Sequence, residues 1–153
     1  MSSTELVDRI AEEASRAGLR IVTSESLTSG MIAMRLGAGP DSASWFGGGI
    51  VAYQEQVKFG LLGVEEGAVV TERCAVQMAR GALRLFEADV AVAATGVGGP
   101  EPSEGKPPGT VFLCVAADHD ARTRGLALHG EPEAVLEQTC AAALELLAEI
   151  LAV

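Results

Sequence analysis

The stretch Thr23-Ser-Glu-Ser-Leu-Thr-Ser-Gly30 sets the hydroxyls of Ser24, Ser26, Thr28 and Ser29 around the carboxylate of Glu25 and ends on a glycine. A serine hydroxyl becomes a nucleophile when a neighbouring base takes its proton. A helix beginning just after it offers backbone N–H groups to an oxyanion or an anion. Ser and Thr are also ordinary helix caps, so the stretch carries a structural reading beside the chemical one. Tyr53 and Lys58 lie close together farther along. If a helix begins near Gln54, burial and the positive end of its dipole would lower the Lys58 pKa. A lysine brought toward neutrality can take a proton from a hydroxyl, which is the chemistry of Ser–Lys hydrolases. The alternative is a surface lysine whose stem lies along apolar groups.

Thr95-Gly96 opens a third polar stretch, rich in Gly and Pro as far as Pro108. It has neither the Walker spacing nor that of a dinucleotide fingerprint. A loop of this length inside a compact domain is functional or disordered. Lys58 and Lys106 are the only lysines among 11 basic residues, and Lys106 falls in this loop.

These groups need a scaffold that brings them together. Residues 4 to 17 carry Leu6, Val7, Ile10, Ala14 and Ala17 at helical spacing, with Ser2 and Glu5 in capping-box relation and Gly18 as a stop. Strands are expected at 19–24, 47–53, 89–95 and 109–117, and a last one at 122–128 across a turn at 118–121. Helices are expected from the 23–30 turn to about Leu36, over 54–62, after a Thr71 cap, and from Pro132 to the end. Residues 37–42 read as loop. Alternation of this kind predicts one domain over 1–153, a three-layer α/β/α sandwich with a mostly parallel mixed sheet and one antiparallel strand. Parallel strands would deliver Ser26, Tyr53 and Thr95 to one sheet edge, where ligands bind in such folds.

Composition excludes several classes. The net charge of −10, with no basic stripe, argues against nucleic acid. No apolar run reaches the roughly 20 residues of a membrane helix, and no signal pattern opens the chain, so a cytoplasmic location is expected. Cys74, Cys114 and Cys140 stand apart in apolar surroundings and read as buried small hydrophobes. With two histidines and no C-x-x-C, no metal site is expected. His119 and His129 read as surface residues.

Taken together, the segments resemble the CinA C-terminal domain family, whose enzymatic members are nicotinamide-nucleotide amidohydrolases. Ser24-Glu-Ser-Leu-Thr-Ser-Gly30 corresponds to the family's A-E-S-C-T-G-G. Asp41-Ser-Ala-Ser-Trp-Phe-Gly-Gly-Gly-Ile-Val-Ala-Tyr53, running on to Lys58, matches its G-S-S-x-x-F-x-G-G-x-V-x-Y-S-N-x-x-K block. Leu61-Leu-Gly-Val64, Gly67-Ala-Val69, Thr95-Gly-Val-Gly-Gly-Pro100 and Lys106-Pro-Pro-Gly-Thr-Val111 follow in family order. The resemblance implies a free-standing short form that hydrolyses nicotinamide mononucleotide to nicotinate mononucleotide and ammonia. Ser26 would be the nucleophile, Lys58 its activator, and Tyr53 a proton relay or amide-binding group. Thr95 would help place the substrate, and N–H groups around Thr28, Ser29 and Gly30 would hold the oxyanion. Gly48, Gly96 and Lys106 complete the implied substrate-binding set. No metal or organic cofactor is implied, and a homodimer or larger homo-oligomer is.

The chain also departs from the pattern. Leu27 replaces the family's cysteine, Ser29 its first glycine, and Gln54-Glu55 its S-N pair. Gly130-Glu-Pro-Glu-Ala-Val-Leu136 stands where the family has G-D-R-x-x-V-R, so both arginines that could clamp a phosphate are gone. Lys106 or Arg35 are the candidate substitutes. These departures keep two other readings open: an amidase for a different substrate, and a non-catalytic relative that binds a nucleotide or a partner.

Overall fold

A computed structural model describes residues 1–152. The chain runs α1 (Ser3–Ala17), β1 (Ile21–Glu25), α2 (Met31–Gly37), α3 (Ser42–Trp45), β2 (Phe46–Val51) and α4 (Glu55–Gly60). It continues through α5 (Glu72–Phe86), β3 (Val90–Gly96), β4 (Thr110–Ala117), β5 (Asp120–Ala127) and α6 (Pro132–Leu151).

Helix α1 starts as its capping box requires. The Glu5 N–H donates to Ser2 Oγ at 3.1 Å, and the Ser2 N–H donates to the Glu5 carboxylate. It stops at Gly18 in the left-handed region, with φ 67°. Helix α6 begins on Pro132, whose missing N–H costs nothing in a first turn.

The five strands form one sheet in the order β2-β1-β3-β4-β5. β2, β1 and β3 are parallel, and β4 is antiparallel to both β3 and β5. The one reversed strand is therefore β4, which makes two antiparallel pairs. The β4–β5 hairpin is tighter than expected, because Ala117 pairs with Asp120 and Ala116 with Ala121, leaving only Asp118-His119 at the tip.

Strand alternation divides the core between the two faces. Ile21, Val90, Val92, Ala94, Leu113 and Val115 pack toward α1, α2, α3 and α6. Val22, Ala91, Ala93, Cys114 and Ala116 pack toward α5, with Val57 and Phe59 of α4 beside them. That is the three-layer sandwich. One helix lies outside the sequence expectation. Ser42–Trp45 forms a single turn that buries Trp45, whose indole N–H donates to the Pro40 carbonyl at 2.8 Å. Four residues are too few to carry a helical period, so the turn was unreadable as a pattern.

Two glycine positions show how closely backbone approaches backbone or side chain. A Cβ at Gly49 would lie 2.0 Å from Thr23 Oγ1, and one at Gly81 would lie 2.2 Å from the Leu62 carbonyl oxygen. Gly81 sits inside α5, where alanine would ordinarily be favoured by about 1 kcal/mol. The contact reverses that preference. Gly81→Ala is expected to lower stability by about 1–3 kcal/mol through overpacking. A urea midpoint at or above wild type would show that the α5–Leu62 approach is looser than described.

Candidate active site

The β1–α2 turn is organised by Glu25, which is fully buried. Its carboxylate accepts from the Thr28 hydroxyl at 2.6 Å and from the Ile32 and Ala33 N–H groups, each at 2.9 Å. The N-terminal N–H groups of α2 are thus occupied by an internal anion. The Ser29 N–H closes the turn onto the Ser26 carbonyl at 3.1 Å. Ser29 itself holds φ 50°, and Gly30 φ 100° at the helix start. The Ile32, Ala33 and Ser29 N–H groups are therefore already engaged within the turn.

The parallel ladder carries on past the strand ends. The Ser26 N–H donates to the Ala94 carbonyl at 3.0 Å, and the Ala52 N–H to the Glu25 carbonyl at 2.7 Å. Glu25 is in register with both Val51 and Ala94, so the residues after these strands arrive at one sheet edge. There they open a cleft of about 260 Å³, lined by Ser26, Leu27, Tyr53, Glu55, Lys58 and Thr95 among others. Gly96 to Gly99, Glu101 and Ser103 complete the lining with Val69 and Val70.

Ser26 is 7% exposed and Lys58 only 2%, whereas Tyr53 stands 66% exposed at the rim. The Lys58 ammonium donates to the Tyr53 carbonyl at 3.3 Å. Burial lowers its pKa from the usual lysine value, opposed by Cys74, Glu55 and Glu104. The helix starts after Gln54 as expected, and Lys58 is the fourth of the six residues of α4. The Cys74 thiol lies near Lys58 and Thr95, and burial pushes it up to about 11. Cys114 and Cys140 are pushed up by burial to about 12 and about 11, and all three are free thiols in the core.

The 96–108 loop is ordered by two anchors. Glu104 accepts from the Val69 N–H at 2.8 Å and from the Val70 N–H at 2.9 Å. Lys106 donates to the Val70 carbonyl at 2.7 Å. Ser103 and Lys106 pair through their backbones, while Glu104, at φ 54°, and Gly105 make the bend. Thr95 joins the same wall, its hydroxyl donating to the Val69 carbonyl at 2.8 Å.

Of the residues singled out in the sequence, Ser26, Tyr53, Lys58, Thr95 and Gly96 come together in the cleft. Thr28, Ser29, Gly30, Gly48 and Lys106 lie outside its lining. Thr28 is committed to Glu25, and Ser29 and Gly30 shape the turn. Gly48, at φ 120°, faces the Phe86 ring, and Lys106 holds the loop. Arg35 is tied to Glu137 of α6 and adjoins Ser3 of α1, on the opposite side of the sheet. Sequence reasoning passed over Glu101, Glu104 and Val69–Val70. The lone signal for Glu104 was its place beside Gly105 and Lys106 in a long loop. Among the described residues no group of three or more His, Cys, Asp or Glu could hold a metal, and no helix is long and apolar enough to cross a membrane.

Comparison with known proteins gives the same architecture. The CinA C-terminal domain family model matches residues 3–151. A CinA-like protein of Mycobacterium marinum is 42% identical over 138 residues, which is 86% of this chain and 32% of the relative. One from Mycolicibacterium vanbaalenii is 42% identical over 147 residues, 92% of this chain and 34% of the relative. The chain thus spans about a third of the length of the curated relatives it matches. The crystal structure of a CinA superfamily protein from Klebsiella pneumoniae 700603 superposes with a TM-score of 0.94 at 34% identity, covering 99% of both chains.

Glu25→Gln tests the turn. It places an amide donor against three donors that already point at the carboxylate, and at most one oxygen can still accept from them. Stability is expected to fall by about 1–3 kcal/mol, the cost of one buried polar group left unmatched. An unchanged denaturation midpoint would mean that Glu25 does not organise the turn.

Proposed function

The chain belongs to the CinA C-terminal domain family, and from that premise we propose that it is an amidohydrolase acting on nicotinamide mononucleotide. The products are nicotinate mononucleotide and ammonia. The observation that carries the reading is a lysine buried to 2% exposure, with a lowered pKa, in the same cleft as Ser26.

In this scheme Lys58, as the free amine, takes the Ser26 proton while Ser26 Oγ bonds to the carboxamide carbon. The tetrahedral intermediate collapses as the carbon–nitrogen bond breaks, and the Lys58 ammonium returns its proton to the leaving nitrogen. Water then attacks the Ser26 ester, Lys58 takes its proton, and the nicotinate carboxylate leaves as Ser26 regains its hydrogen. One amide and one water become one carboxylic acid and one ammonia. Tyr53 at the rim binds or relays protons to the amide, and Thr95 fixes the wall on which the ring rests. With α2's first N–H groups held by Glu25, the oxyanion is left to donors at the cleft surface. Assembly into a homodimer or larger homo-oligomer belongs to the same proposal.

The pH dependence has a definite sign. Lys58 acts only when neutral, so kcat/KM rises with pH through its pKa, on a limb centred below the usual 10.5. Because the unfolded chain holds that proton more tightly, Lys58 costs stability below its folded pKa, and the cost disappears as pH rises toward 10.5. Lys58→Met keeps the packing and removes the charge. It is expected to reduce turnover at least about 100-fold and to lose this pH-dependent part of stability. Activity close to wild type would end the Ser–Lys scheme.

The function itself is tested by ammonia release from nicotinamide mononucleotide, with Ser26→Ala alongside. Release that vanishes in the variant is the expected outcome. No release from folded wild-type protein would favour the non-catalytic binding reading instead.

A further inference from the structure

The charge lining the cleft narrows the substrate class. We infer that the cleft favours the dephosphorylated, cationic form of its substrate, an N-ribosyl pyridine-3-carboxamide, over the corresponding 5′-phosphate. The inference rests on the amidohydrolase reading above and refines which molecule it accepts.

Among the residues that line the cleft, Lys58 is the only basic one, and Glu55 and Glu101 line the same space as exposed acidic residues. Lys58 is no phosphate clamp. Its ammonium is buried, bonded to the Tyr53 carbonyl, and must be neutral to act. The other cations that could have helped are engaged elsewhere. Lys106 lies outside the lining, its ammonium donating to the Val70 carbonyl, and Arg35 pairs with Glu137 on the opposite side of the sheet. Glu131 and Glu133, at the start of α6, are exposed carboxylates.

The two forms of substrate differ mainly in charge. An N-ribosylated pyridinium carries a fixed positive charge. A 5′-phosphate adds roughly −1.5 to −2 at neutral pH and needs charge-assisted donors to leave water. Glu55 and Glu101 attract the first and repel the second. Both are exposed, so salt screens the effect.

The experiment compares ammonia release from nicotinamide riboside and from nicotinamide mononucleotide, at low and high salt, with wild type and the Glu55→Gln/Glu101→Gln variant. The wild type is expected to show kcat/KM at least about tenfold higher for the riboside, equivalent to one charge-assisted contact. High salt should lower the riboside rate and raise that of the mononucleotide, and the double variant should shrink the ratio severalfold. Equal rates, or a preference for the mononucleotide, would overturn the inference and leave the amidohydrolase standing. A riboside preference that survives intact in the double variant would overturn the role given to the two carboxylates. Ammonia from neither compound would overturn the amidohydrolase reading, and this refinement with it.

Discussion

A buried carboxylate without a counter-cation must be satisfied by hydrogen bonds, and Glu25 meets that demand with one hydroxyl and two helix N–H groups. The rest of the site follows from it. Because Glu25 is the last residue of β1 and ties back into α2, the intervening residues can follow only a tight path. That path carries Ser26 out of the ladder at the sheet edge while keeping its N–H bonded to Ala94. The helix start, commonly a place for ligands, here holds the chain to itself.

The second constraint is the burial of the Lys58 amine. A charged ammonium in that position loses hydration for a single carbonyl contact, so its environment favours the neutral form. Glu55 and Glu104 work against this by favouring the charge. The balance leaves desolvation ahead while retaining carboxylates close by. The neighbouring thiol of Cys74 is held protonated by the same apolar packing, so it contributes volume.

Much of this was legible in the sequence because local pattern and fold agree. The capping box of α1, the apolar run of β3 and Pro132 each state their element without help from distant residues. The convergence of Ser26, Tyr53 and Thr95 was also legible, since parallel strands share an edge. What was hidden is which polar groups consume one another. Thr28 looks as free as Ser26 until Glu25 is placed beneath it. Gly48 belongs to the substrate-binding set that the resemblance implies, and in the fold its neighbour is the Phe86 ring. Lys106 was noticed for its rarity, but its partner is a backbone carbonyl that no spacing rule encodes.

The far wall of the cleft has a property that bears on how such a site changes over generations. Glu104, Lys106 and Thr95 all grip the main chain of residues 69 and 70, and none of them touches a side-chain polar group there. Main-chain atoms are the same whatever residue occupies the position. The side chains at 69 and 70 are therefore answerable to packing alone, and another apolar group of similar bulk could replace either valine while the wall kept its shape. Architecture and ligand preference are inherited separately here, so descendants could alter what the cleft accepts without rebuilding the frame that holds it open.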